Sequence, residues 1–257
     1  MGLWTSAHAK TLPPAVLAMI ILSVILRLTL GNREKRIRMI PMQILTVILL
    51  ILEVVKQTVS FCRGYDLYHI PLHFCSLFLF VFPAMCFYRG KYENLVGGIS
   101  SGLCAATAGL TLIYPSLIYG VWDIENFFTD FMGFHTVVFH NLVILAFFLI
   151  ISLQLHTPEK KGEPKAICVF LAIFCSIAAI VSQLLQTNYA GFYQCNVPFF
   201  EELRLSMQPI LGYAVTQMIY DVALMGMHML FVLAFYWIYR ALRKQLAFRN
   251  AVPVSKG

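Results

Sequence analysis

Two short segments of the chain combine nucleophilic and basic side chains at close spacing. The first carries His69, His73 and Cys75, and the second carries His135 and His140. A histidine can remove the proton of a cysteine thiol, and the thiolate can then attack an ester carbonyl to form a covalent acyl intermediate. These residue types therefore indicate acyl-transfer chemistry, with Cys75 as the candidate nucleophile.

These candidate residues fall in segments that are predicted to be membrane helices. The chain has 257 residues, of which 60% are hydrophobic and 12% charged, and its mean hydropathy is +0.77. This composition excludes a disordered chain and leaves too little polar surface for a soluble domain. A membrane span needs about twenty apolar residues. Seven stretches qualify: 13–31, 39–61, 68–88, 94–114, 134–155, 166–187 and 209–240. We therefore predict an all-α polytopic bundle of about seven transmembrane helices, forming a single domain over residues 1–257.

The basic residues are distributed unevenly between the two sides of the predicted bundle. The connections after spans one, three and five and the C-terminal tail, counted from Arg240 onward, hold fourteen Lys and Arg, whereas the opposite side holds three. Because cytoplasmic segments carry the excess of basic residues, the N-terminus is predicted to lie outside and the C-terminus inside. The net charge of +7 suits the anionic inner leaflet, so no nucleic-acid partner is expected.

Polar residues of five predicted spans fall in one layer of the outer half of the membrane. At the rise of an α-helix, Cys75 lies about 10 Å and His140 about 9 Å below the outer surface. The other polar side chains in this layer are Lys56, Gln57, Gln183, Gln186 and Asp221. A lipid ester bond lies at this depth, and intramembrane polar residues are costly enough to suggest a function.

A metal site is one alternative use of the same histidines. His69 and His73 are four residues apart, a spacing that places both on one face of a regular helix. Together with His135 or His140 they could hold zinc and activate water, which would make the protein a zinc-dependent intramembrane lipid hydrolase.

A non-enzymatic transporter or binding protein is the second alternative. Such a protein would use Asp221, Glu53 and Lys56 as a polar path through the membrane. However, Glu53 and Lys56 are three residues apart and are predicted to form an ion pair within one helix. The chain also shows no inverted repeat, a feature of many transporters.

Two further features concern packing and covalent links. Gly98, Gly102 and Gly109 form a small-residue face that predicts close contact with another helix. Cys62 and Cys195 both fall in predicted external segments and could pair, although seven cysteines define no pairing by themselves.

Two segments of the chain resemble a known family. Residues 71–79, PLHFCSLFL, resemble the Leu-Pro-Leu-His-Leu-Cys-Ser signature of the YwaF-like integral membrane proteins. Residues 134–144, FHTVVFHNLVI, are similar to that family's later segment, in which a histidine opens an apolar helix. The resemblance covers about residues 65–215, and the His-x-Cys-Ser element is its most specific part.

The resemblance implies a function. The family extends to the transmembrane protein 164 type, which is understood as a coenzyme-A-independent acyltransferase that moves fatty acyl chains into lysophospholipids. It implies Cys75 as nucleophile, His140 as base and His73 as a supporting residue, with no cofactor. It also implies a multi-pass protein of the bacterial plasma membrane whose partners are phospholipids and lysophospholipids. The vertebrate branch has a second histidine directly after its cysteine, where this chain has Ser76.

Further polar residues are candidate substrate contacts. An amide that donates to the oxyanion of a tetrahedral intermediate typically lowers the barrier by about 3 kcal/mol. The candidates for substrate binding are His135, Asn141, Gln183, Gln186, Asn188 and Asp221. If water rather than a lysolipid accepts the acyl chain, the same site makes the protein a lipase.

Overall fold

A computed structural model describes residues 4–158, 162–195 and 197–251, with side chains as far as residue 245. Within these ranges the chain is all-α and has no β-strand. Its α-helices are α1 (Ser6–Leu30), α2 (Lys35–Arg38), α3 (Ile40–Cys62), α4 (Phe78–Phe87), α5 (Glu93–Ile113), α6 (Val121–Glu125), α7 (Phe131–Ser152), α8 (Glu163–Leu185), α9 (Pro198–Leu211) and α10 (Tyr213–Ala251). Three of the basic residues counted above, Lys160, Lys161 and Lys256, lie outside the described ranges.

The helical membrane architecture is confirmed. In the described part of the chain, six helical stretches are long and apolar enough to cross a membrane, and a shorter apolar helix covers Phe74–Phe87. The six stretches are Ser6–Leu30, Lys35–Cys62, Glu93–Ile113, Phe131–Ser152, Glu163–Leu185 and Tyr213–Gln245. The seven predicted spans therefore correspond to six long helices and one short one. The orientation of the termini and the single-domain organisation stay predictions.

The predicted span 68–88 is not one continuous helix. Its first part consists of a 3₁₀ turn that ends at His69, an extended stretch, and a second 3₁₀ turn directly before α4. Pro71 explains the interruption, because proline lacks an N–H donor and keeps the preceding residue out of the helical region; Ile70 has ψ 132°. His69 and His73 therefore do not share a helix face, and the spacing argument for a metal site is wrong.

The last predicted span also differs from the structure. The stretch 209–240 begins inside α9 and is interrupted at Gly212, whose φ of 76° suits glycine and ends the helix. The chain then continues as α10. The connection 188–208, predicted as a link, contains most of α9, which begins at Pro198, a favoured first position of a helix.

The central helix of the bundle is α5, which packs against α4, α7, α8 and α10. The predicted small-residue face makes this possible. A Cβ atom added at Gly98 would lie 2.6 Å from Glu163 Oε2, and one added at Gly109 would overlap the ring of Phe235. Neighbouring helices thus approach α5 so closely that larger residues do not fit, as the spacing predicted.

Replacing Gly109 by alanine should destabilise the bundle by about 1–3 kcal/mol, the usual cost of overpacking. The new methyl group would meet three ring atoms of Phe235, each closer than a Cβ atom tolerates. Gly226→Ala in α10 is the matched control, because no atom lies within 4 Å of its added Cβ. Thermal unfolding in micelles would measure both. Equal midpoints of thermal unfolding for the two variants would contradict the close packing of Phe235 against Gly109.

Candidate active site

Cys75 lies in the first turn of the helical segment Phe74–Phe87, with His73 as the N-cap residue. The first N–H groups of a helix have no acceptor within the helix, and its N-terminus carries partial positive charge. Both features stabilise an anion, whether a thiolate or the oxyanion of a tetrahedral intermediate. The break in the predicted span therefore places the cysteine at the N-terminus of a helical segment. The depth calculated for Cys75 from a regular helix does not apply.

His73 fixes the non-helical stretch before the cysteine. Its Nε2 donates to the carbonyl of Tyr68 at 2.9 Å, and its ring packs on the Tyr68 ring at 4.3 Å. The buried Tyr189 also contacts this stretch: its ring meets His73 edge-on at 5.6 Å, and its hydroxyl donates to Leu67 O. These contacts fit a supporting role for His73.

A stack of three rings anchors the residue next to Cys75. The ring of His228 in α10 stacks on Phe74 at 5.4 Å and on Phe192 at 5.9 Å. Its Nδ1 donates to Leu224 O at 2.9 Å, which sets the orientation of the ring. The three rings come from separate segments of the chain, so no sequence pattern indicates this contact.

Glu53 in α3 is the centre of a buried polar network. Its carboxylate lies 2.8 Å from Lys56 Nζ, which confirms the predicted ion pair, and accepts a hydrogen bond from Gln57 Nε2 at 2.6 Å. The Nε2 of His135 in α7 lies 3.5 Å from the other carboxylate oxygen, without the alignment of a hydrogen bond. The contact between His135 and Glu53 was not predicted.

His140 has one ring nitrogen engaged and one available. Its Nδ1 donates to the Thr136 carbonyl at 2.7 Å. This bond leaves Nε2 as the acceptor in the neutral imidazole, the state that a general base needs. His140 is 7% exposed and interacts electrostatically with His135 and His73. Within the described ranges, no hydrogen bond joins His140 to Cys75; catalytic hydrogen bonds are often long before substrate binds.

Three of the predicted substrate contacts build the loop after α8. Gln183 donates to Phe192 O at 3.1 Å and accepts from the Tyr213 hydroxyl at 2.6 Å. Gln186 is exposed and ends α8 in a left-handed conformation with φ 49°. The side-chain oxygen of Asn188 accepts from two N–H groups of the same loop, at 3.1 and 3.2 Å. The amides of Gln183 and Asn188 therefore have structural partners.

Asn141 differs from those three amides. Its Nδ2 donates to Val137 O at 2.8 Å, one turn earlier in α7, whereas its Oδ1 is buried and has no hydrogen-bond partner. An unpaired buried acceptor is costly, and a ligand hydroxyl would relieve that cost. This geometry supports a substrate contact for Asn141.

Asp221 belongs to a network that ties α9 to α10. Gln217 Nε2 donates to Asp221 at 2.9 Å, and Gln217 Oε1 accepts from Arg204 at 3.1 Å. Arg204 also forms an ion pair with Glu201 at 2.6 Å and thereby lowers the pKa of that carboxyl. Because the pKa is lower in the folded state, the pair stabilises the fold at neutral pH, and this contribution is lost as the pH falls through that lowered pKa.

The histidines are not arranged as a metal centre. In residues 4–158, 162–195 and 197–251, no three His, Cys, Asp or Glu side chains are grouped so that they could hold a metal ion. His69 Nδ1 instead pairs with Ser60 Oγ at 2.6 Å, and His73 is bound to Tyr68. Cys62 and Cys195, the two cysteines that were considered as a pair, are both free thiols.

The apolar helices define this chain as a multi-pass integral membrane protein. The model of the TMEM164 family matches residues 3–239. The chain belongs to the TMEM164 family, which confirms the relationship that the His-x-Cys-Ser element indicated. No curated protein and no solved structure matches the chain.

Proposed function

We propose that the protein is a membrane acyltransferase that moves a fatty acyl chain from a phospholipid to a lysophospholipid. In this proposal Cys75 carries the acyl chain as a thioester and His140 is the base. The observation that carries the proposal is the position of Cys75 in the first turn of an apolar helical segment whose N-cap residue is His73. Membership of the TMEM164 family is consistent with an acyltransferase-like role.

The first half-reaction forms the thioester. The thiol proton of Cys75 passes to His140 Nε2, and the sulfur attacks the ester carbonyl carbon of a phospholipid. The N-terminal N–H groups of the helical segment Phe74–Phe87 stabilise the oxyanion that develops. The carbon–oxygen ester bond then breaks, and His140 returns the proton to the departing lysolipid oxygen.

The second half-reaction transfers the acyl chain. A second lysolipid enters, its hydroxyl proton passes to His140, and its oxygen attacks the thioester carbonyl. The carbon–sulfur bond breaks, and the proton returns to the sulfur of Cys75. In this scheme Asn141 Oδ1, which has no hydrogen-bond partner, accepts from a substrate hydroxyl. Protons and electrons balance within the cycle, so no cofactor is needed.

The experiment that tests this function uses purified protein in micelles with a phospholipid labelled in one acyl chain and an unlabelled lysophospholipid. Mass spectrometry follows the label. Label in the product diacyl lipid supports the acyltransferase, and label in free fatty acid makes the protein a lipase with the same site. If a chelator abolishes either reaction, or if no label moves, the proposed cysteine mechanism is wrong.

The proposed location is a plasma membrane with the Cys75 end facing outward, and the labelling of Cys62 tests this orientation. Cys62 is the last residue of α3 and is exposed. A membrane-impermeant maleimide should therefore label it on intact cells, and Cys62→Ser should lose most of the signal. Cys195, partly buried at the same end, accounts for any remainder. Labelling only in permeabilised cells would show that Cys62 faces the cytoplasm, the opposite of the proposed orientation.

A further inference from the structure

A cavity of about 220 Å³ lies at the end of the bundle opposite Cys75. It is formed where the start of α5 meets the end of α4, the helix α2 and the turn after α7. Its polar lining includes Lys35, Arg38, Asn94 and His156. None of these residues takes part in the proposed acyl transfer.

His156 presents a ring nitrogen without a hydrogen-bond partner at this cavity. The residue is only 5% exposed, and its Nε2 has no hydrogen-bond partner. Its Nδ1 lies 3.2 Å from Ser101 Oγ and 3.3 Å from the Tyr239 hydroxyl. The Tyr239 hydroxyl donates to His156 O at 3.1 Å, so Ser101 is the hydroxyl that donates to Nδ1, and the ring proton is then on Nε2. Glu163 Oε1 lies 3.5 Å from Nε2 without the geometry of a hydrogen bond, and Glu163 does not line the cavity.

Arg38 presents a second unused donor at the same cavity. Its Nη1 donates to Leu153 O at 2.7 Å, which fixes the guanidinium against the end of α7. Its Nε is buried and has no acceptor. Buried polar groups are normally paired, so two unpaired donors around one cavity indicate a ligand that is rich in acceptors.

The charges around the cavity also favour an anion. The N-terminus of α5, a helix of 21 residues, lies at the cavity and adds partial positive charge. Lys35 and Arg38 are cationic, and the carboxylate of Glu93 is already paired with Lys35 at 2.8 Å. A Cβ atom at Gly97 would lie 2.5 Å from the His156 ring, so glycine allows the imidazole to pack against the start of α5.

We propose that this cavity binds a phosphate group. Phosphate oxygens would accept from Arg38 Nε and His156 Nε2, and the anion would be held by Lys35 and the α5 N-terminus. The phosphate can belong to a lipid headgroup or be a free ion, because both present the same oxygens. The site is separate from the Cys75 end and does not depend on the proposed acyl transfer.

Thermal unfolding of the full-length protein in micelles tests this site directly. One arm compares inorganic phosphate with chloride at equal ionic strength, and the other compares dihexanoyl phosphatidate with dihexanoyl glycerol. A ligand that binds only the folded protein raises its Tm in a saturable way. We expect a saturable rise of several degrees with phosphatidate, with inorganic phosphate or with both. A rise with phosphatidate alone identifies a lipid headgroup. No saturable rise in either arm overturns the proposal.

Variants separate the site from a general salt effect. Arg38→Gln and Lys35→Gln should each weaken the apparent affinity about tenfold or more, because each removes a cation that lines the cavity. Arg36→Gln is the matched control: it removes the same charge from the exposed side of α2 and should leave the affinity unchanged. If Arg38→Gln does not fold, the apparent phosphate affinity of Lys35→Gln tests the assignment alone. Equal weakening by Lys35→Gln and Arg36→Gln would overturn the assignment.

Discussion

Replacing Cys75 by alanine is expected to reduce acyl transfer by about a thousandfold or more, to the background rate. Removing the nucleophile of a covalent mechanism eliminates the intermediate rather than weakening one contact. The assay is the movement of labelled acyl chain described above, together with the label bound to the protein. Wild-type protein that has reacted with donor lipid alone should carry the label as a thioester, and Cys75→Ala should carry none.

The control for this variant is Cys62→Ala, which removes a free thiol from the same end of the bundle. It should transfer acyl chains at the wild-type rate. Cys75→Ala removes only a sulfur atom from a partly buried position, so its Tm should stay close to that of the wild type. A Cys75→Ala protein that folds normally and still transfers the label would refute the thioester.

Replacing His140 by alanine is expected to slow acyl transfer by about 10²- to 10⁴-fold, the usual contribution of a general base. The imidazole bonds to Thr136 of its own helix, so the loss of this bond should change the stability of the bundle little. Because one base serves both half-reactions, formation and breakdown of the protein-bound thioester should slow together. Single-turnover measurements with donor lipid, followed by addition of lysolipid, separate the two rates.

His135→Ala is the comparison that distinguishes the two histidines of α7. His135 contacts Glu53 at 3.5 Å, whereas the Glu53–Lys56 ion pair does not require it. Under the proposed mechanism this variant should lose much less activity than His140→Ala. If His135→Ala shows the larger loss in both half-reactions, the base is His135, oriented by the carboxylate of Glu53.

Much of the membrane architecture could be predicted from the sequence. Apolar stretches of sufficient length locate the long helices to within a few residues at most ends, because the thickness of the bilayer sets a minimum length. The small-residue face of α5 was also predictable, since Gly98 and Gly109 leave room that larger residues would fill. The Glu53–Lys56 pair was visible from its spacing within one helix.

The predictions failed where hydropathy and helix geometry disagree. The stretch 68–88 is apolar enough to span a membrane, but Pro71 interrupts its hydrogen-bond ladder, so the helix begins only at Phe74. Gly212 divides the last predicted span for a similar reason, since its left-handed φ ends α9. Average hydropathy over a window does not register a single residue that stops a helix.

The sequence by itself determined that the chain is an all-α membrane protein, and it indicated the residues able to carry acyl chemistry. Only the tertiary structure decided their partners. The contact between Glu53 and His135 joins α3 to α7, and the stack of Phe74, His228 and Phe192 joins three separate segments. Such contacts cannot be inferred from apolar patterns, because lipid tails are as apolar as leucine and hydropathy does not specify which helices meet. Close packing at small residues and pairing of buried polar groups decide that choice.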